Sequence, residues 1–134
     1  MTSKVVYTGQ LRTIATHLAS GNTIETDAPI DNHGKGERFS PTDLVATGLA
    51  CCMATVMGIA AETHQIDMNG TSFDVQKIMA SNPRKIGEIK VAIQFPEGKK
   101  FNDKERKILE LAALTCPVYL TLSEEVIKTV TFHW

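Results

Sequence analysis

The three cysteines are the residues of this chain best suited to covalent chemistry. Cys51 and Cys52 lie inside a run from Leu44 to Ala61 that carries no charged side chain, and Cys116 stands directly before Pro117. A cysteine attacks as its thiolate, so the question is which environment stabilises the anion. Successive helical residues are about 100° apart, so Cys51 and Cys52 cannot both face one pocket. The stripe through Cys52 holds Val45, Leu49, Val56 and Ile59. The stripe through Cys51 holds Leu44, Thr47, Ala54, Thr55 and Gly58, mostly small groups suited to close packing. The blander packing role falls to Cys51, although helical geometry alone leaves both open. Pro117 disfavours helical backbone in the residue before it and suits the first position of a new helical turn. Cys116 is therefore expected at a helix N-terminus, where the dipole and unpaired N–H groups lower a thiol's pKa. A helical thiol and a helix-start thiol make a candidate attacking and resolving pair. The alternative is three cysteines packed as small hydrophobes.

The element that must position the first two thiols opens with a helix-start signature. Ser40 can cap, Pro41 sits where a missing N–H costs nothing, and Asp43 stands at the capping-box position. A helix apolar on every face is either a membrane span or the buried centre of a fold. Neither end of this one carries an anchoring cluster of Lys/Arg or Trp/Tyr, and half of it is Ala, Gly, Thr or Cys, which favours the buried centre. Before it, short strands are expected near Val5 and Tyr7, from Thr13 to Leu18 and from Thr23 to Thr26, with turns at Gly9-Gln10 and Ser20-Gly21-Asn22. Residues 27–39 read as a polar connection rich in turn formers, of the size that often carries function.

After His64-Gln65 the pattern gives strands over 72–80 and 86–95, joined by Ser81-Asn82-Pro83-Arg84. Asn102 caps a second helix with apolar positions Ile108, Leu109, Leu111, Ala112 and Leu114, on which Glu105 and Glu110 read as solvated. A further helix is expected from Val118 to Glu125 and a closing strand from Val126 to Phe132. The order β-β-β-α-β-β-α-α-β has no βαβ rhythm, so the expected class is α+β, with antiparallel sheets wrapped around a buried central helix, in one domain over residues 1–134. Such a helix needs more cover than this chain offers, and a second copy is the simplest source, so a homodimer is expected.

Composition narrows the function classes. With a net charge of −1 there is no basic field for nucleic acid. Residues 1–5 show no apolar signal segment, and an odd number of cysteines argues for thiols kept reduced, so a cytoplasmic location is expected. His17, His33, His64, His133 and the cysteines lack the spacing of a metal site, and Gly34-Lys35-Gly36 lacks the length and ending of a phosphate loop. No metal, cofactor, nucleic-acid or membrane partner is expected.

Taken together, a proline-led helix start, a cysteine eleven residues after that proline and a Cys-Pro-Val near the C-terminus resemble the OsmC/Ohr family of thiol-dependent peroxidases. The resemblance covers nearly the whole chain, including the strand order. It implies an intertwined α+β homodimer with sites at the subunit interface. Cys52 would be the peroxidatic thiol, oxidised to a sulfenic acid by organic hydroperoxides, with hydrogen peroxide a further candidate substrate. Cys116 would resolve it as a disulfide, and an external dithiol, a lipoyl-type one among the candidates, would restore the pair. The family activates its thiol with an arginine held by a carboxylate. Arg12, in Thr8-Gly9-Gln10-Leu11-Arg12, resembles the arginine of the Ohr branch, and Arg38, in Glu37-Arg38-Phe39, that of the OsmC branch. The family carboxylate directly follows the helix-start proline, where this chain has Thr42, with Asp43 one residue further on. That departure motivates a rival reading: a dimeric small-molecule-binding or redox-sensing protein of the same fold without fast peroxidase turnover.

Overall fold

The computed structural model describes all 134 residues, which form two compact units, Met1–Val45 and Ala46–Trp134. The N-terminal unit is an antiparallel meander of β1 (Ser3–Gly9), β2 (Arg12–His17) and β3 (Thr23–Asp27), in that spatial order. The β1–β2 connection turns on Gln10 and Leu11, both at positive φ (51° and 61°), the backbone of a hairpin turn whose twist matches its strands. Arg12 pairs with Asp27 and Thr13 with Thr26 across β2 and β3, and this register brings charged groups together below. Residues 28–39 fold back on the sheet through a single turn of 3-10 helix, Ile30–Asn32. Gly34 is required there, since a Cβ would lie 1.6 Å from the carbonyl oxygen of Ala28.

Helix α1 (Pro41–His64) begins in the first unit and continues through the second. Its start is the reciprocal cap expected from Ser40 and Asp43: the Asp43 N–H donates to Ser40 Oγ at 3.1 Å and the Ser40 N–H to Asp43 Oδ2 at 2.8 Å. Its end is also as expected. Gln65 adopts φ 56°, and the Ile66 N–H returns to the carbonyl of Ala61 at 2.8 Å, closing the helix with a left-handed residue and a buried hydrophobe behind it.

The C-terminal unit continues with β4 (Ser72–Ala80), β5 (Lys85–Gln94), α2 (Asp103–Leu114), α3 (Pro117–Thr121) and β6 (Ile127–His133). The element order is the one read from the sequence. Three details differ. The sheet β4-β5-β6 is mixed, because β6 runs parallel to β5, against the expectation of antiparallel sheets throughout. The chain leaves β5, crosses through two helices and re-enters from the same end, and such a crossover delivers a parallel strand. Helix α3 stops at Thr121 rather than Glu125, because Leu122 is extended and Ser123 Oγ accepts the Glu125 N–H at 3.2 Å, a local alternative to helical bonding. Glu105 does more than line a solvated face: its Oε2 accepts the Asn102 N–H at 2.8 Å while Asn102 Oδ1 accepts the Glu105 N–H at 3.0 Å, completing a capping box.

The core of this unit joins Leu49, Met53 and Met57 of α1 to Ile89, Val91 and Ile93 of β5 and Leu109, Ala112 and Ala113 of α2. Each large aliphatic side chain so buried contributes roughly 1.5–3 kcal/mol. Trp134 closes one end, stacked on Phe95 at 4.1 Å with the Arg106 guanidinium 5.3 Å from its ring. Helix α1 is long and apolar enough to cross a membrane, and in this fold it contributes one stripe to the core. Within the chain Val45, Cys51, Thr55 and Ile59 of this helix are exposed, Ile59 by 60%.

Candidate active site

Cys52 and Cys116, 64 positions apart in sequence, meet in the C-terminal unit, where the Cys52 side chain lies close enough to the Cys116 thiol to act on its protonation. Cys52 projects from the middle of α1 and is half-buried. Cys51, one residue earlier, is exposed, as the roughly 100° helical step requires of a neighbour aimed elsewhere. The carbonyl of Cys51 accepts from Thr55 Oγ1 at 2.9 Å. Cys116 is 0% exposed and belongs to the same buried cluster as Leu49, Met53, Leu109 and Ala113.

Cys116 reaches this position because α2 ends at Thr115 and Pro117 starts α3, leaving Cys116 extended (φ −66°, ψ 147°) as the cap residue between them. Its Sγ accepts the Tyr119 N–H at 3.4 Å. The helix-start placement is therefore as read from the sequence, but its expected consequence is not. Burial pushes the Cys116 thiol pKa up, and this outweighs the lowering effect of the Tyr119 N–H. A five-residue helix supplies few aligned peptides, whereas removal from water acts on the full charge. Cys116 is thus a thiol that keeps its proton.

The two candidate arginines lie in the N-terminal unit, each already engaged by carboxylates. Arg12 grips Asp27 with both arms, Nε to Oδ1 at 2.7 Å and Nη2 to Oδ2 at 2.9 Å, and Nη2 also reaches Glu37 Oε2 at 2.8 Å. Asp27 is 2% exposed, and its second oxygen also accepts the Glu37 N–H at 3.2 Å. The Arg12 bond holds the Asp27 carboxyl below the usual carboxylate range, and Asp27 in turn raises the guanidinium's pKa. Arg38 is more exposed (47%) and pairs with Glu25 Oε2 at 2.8 Å while donating to the Glu37 carbonyl at 3.0 Å. Thr42 places its hydroxyl 3.1 Å from Ser40 Oγ, and Asp43 serves the helix cap. Asp27 and Glu37 were not singled out from the sequence. Asp27 was legible in principle, since pairing the two expected strands across their short turn sets Arg12 opposite it. No local signal marks Glu37.

The OsmC-like protein family matches residues 34–131. The fold is shared at a TM-score of 0.94 and 50% identity with a Psychrobacter arcticus protein whose name proposes osmotic stress induction and a detoxification response, over 99% of this chain and 96% of that one. Two more distant structures show the same fold. The organic hydroperoxide resistance protein OsmC of Legionella pneumophila aligns at a TM-score of 0.74 and 16% identity, over 100% and 98% of the two chains. A Vibrio cholerae protein, named for a proposed organic hydroperoxide resistance and holding captopril in one of its active sites, aligns at 0.72 and 13% identity, over 98% and 91%. No curated protein matches the chain. A match over residues 34–131, which takes in α1 with Cys52 and the Cys116-Pro117 step, assigns this chain to the OsmC-like protein family.

Proposed function

We propose that this protein is a cysteine-based peroxidase that reduces organic hydroperoxides. The observation that carries the proposal is the side-chain contact between half-buried Cys52 and buried Cys116. In the first step the Cys52 thiolate attacks the distal oxygen of the hydroperoxide. The O–O bond breaks, an alkoxide leaves and takes up a proton, and Cys52 becomes a sulfenic acid. In the second, Cys116 sulfur attacks that sulfenic sulfur, and hydroxide leaves as water with the proton Cys116 has retained. Burial of Cys116 supports this order, since the proton it holds is the one that the departing hydroxide takes up as Cys116 sulfur attacks. An external dithiol then reduces the disulfide, and a lipoyl-type dithiol fits that requirement. We assign thiolate stabilisation to a guanidinium, Arg12 or Arg38, as the family resemblance implies.

The working form is proposed to be a cytoplasmic homodimer. Support comes from the uncovered apolar face of α1 and from two interior glycines, Gly48 and Gly58, over which an added Cβ would meet nothing within 4 Å. Interior glycine costs a helix about 1 kcal/mol relative to alanine, a cost that close approach of another copy would offset.

The test is a count of free thiols before and after one equivalent of cumene hydroperoxide. Wild type should lose two of its three thiols within minutes, and Cys52→Ser none. A second reading, a binding or redox-sensing protein without fast turnover, is favoured by the double occupation of Arg12 by Asp27 and Glu37. Retention of all three thiols on that timescale would select it.

A further inference from the structure

The two sulfurs differ sharply in access, and this difference bears on how the disulfide is reopened. We infer that the external thiol attacks Sγ of Cys52 and that Cys116 is always the leaving sulfur. The inference rests on the peroxidase reading for its place in a cycle, but its chemistry concerns only the disulfide. Thiol–disulfide exchange requires the incoming sulfur to approach one sulfur in line with the bond, on the side away from the other. Cys116 is 0% exposed, enclosed with Leu49, Met53, Leu109 and Ala113, so no reagent reaches its far side without opening the core. Cys52 is half-buried on α1 and is the more accessible residue of the two.

The step balances as follows. An external thiolate RS− bonds to Cys52 Sγ, the Cys52–Cys116 bond breaks, and its electron pair leaves with Cys116. The Tyr119 N–H, already 3.4 Å from that sulfur, receives the departing anion until it is protonated. The second thiolate of a dithiol then displaces Cys52 from the mixed disulfide, so the dithiol is oxidised by two electrons and both cysteines are restored. Cys116 never bonds to the reductant. Burial, which makes Cys116 a poor leaving group, also shields it from stray thiols, so selectivity comes at the expense of speed.

The experiment uses the full chain with Cys51→Ser, because Cys51 and Cys52 share the tryptic peptide 39–77 while Cys116 lies in 108–128. The disulfide is closed with diamide, which takes two electrons and two protons from the thiols, so peroxidase activity is not needed. Brief exposure to β-mercaptoethanol is stopped with N-ethylmaleimide, and the peptides are weighed without reduction. The expected early product carries mercaptoethanol on 39–77 and maleimide on 108–128, in at least roughly tenfold excess over the reverse pattern. The reverse pattern or an even split overturns the inference, and so does failure of diamide to join the two cysteines. Closure by diamide but not by cumene hydroperoxide would instead remove the peroxidase reading and leave the direction of attack standing.

Discussion

Closing the Cys52–Cys116 bond should make this protein markedly harder to unfold. The bond would tie a loop of about 65 residues, for which the chain-entropy estimate is roughly 4 kcal/mol of stabilisation. Strain subtracts from that figure whenever native geometry must distort to bring the sulfurs together. Here the two side chains are already neighbours in the reduced fold, which limits the movement that closure requires. With an unfolding entropy of about 0.28 kcal/mol/K for a chain of this length, the full effect corresponds to a rise in Tm of about 15 °C. The assay is thermal unfolding, followed by circular dichroism, of protein treated with one equivalent of cumene hydroperoxide and of the same sample after reduction by a phosphine. Non-reducing mass spectrometry confirms the loss of two hydrogens from the oxidised chain. A rise of 5–15 °C, absent in Cys52→Ser, is expected. An oxidised form that carries the bond yet melts at or below the reduced one would refute the reasoning, because the two sulfurs would then not be poised for closure.

Other outcomes follow from the same geometry. In the reduced protein, iodoacetamide should modify buried Cys116 at least about tenfold more slowly than in the same chain unfolded by urea, as read by peptide mass mapping; equal rates would contradict the burial of Cys116. Because the folded-state pKa of Cys116 is raised, the native state holds that proton longer than the unfolded chain. Stability should therefore be complete below the ordinary thiol range and fall as pH rises past about 8.5, and denaturant melts of Cys116→Ala should lack that alkaline slope. Asp27 has the opposite sign: its lowered pKa contributes stability above the usual aspartate range, about 3.9, that is lost as pH falls through the folded value, so Asp27→Asn should flatten the acid limb of Tm against pH. Asn102→Ala removes half of the α2 capping box and should cost about 1 kcal/mol in urea unfolding, with no effect on thiol chemistry.

The parts of this fold that depend on neighbours in sequence were legible before any coordinates. Ser40 and Asp43 cap α1, Gln65 ends it, Asn102 starts α2 and Pro117 breaks the chain at Cys116, each through groups within four residues of one another. Alternation at Ile89, Val91 and Ile93 marked the central strand of the second sheet, and those residues are its buried face. The Glu105 half of the capping box was equally local and was overlooked in favour of a solvated face.

By itself the sequence determined the order and type of the elements, the membership of the OsmC-like family, and which residues carry sulfur. Only the tertiary structure decided the quantities that depend on distant groups. The direction of β6 was set by the crossover through α2 and α3, since hydrophobic alternation is identical for parallel and antiparallel strands. Arg12 acquired Asp27 and Glu37 through a hairpin register and a returning loop. The thiol of Cys116 lost its helix-end advantage to burial in the core, because a pKa sums every surrounding atom whereas a local motif describes only the nearest few.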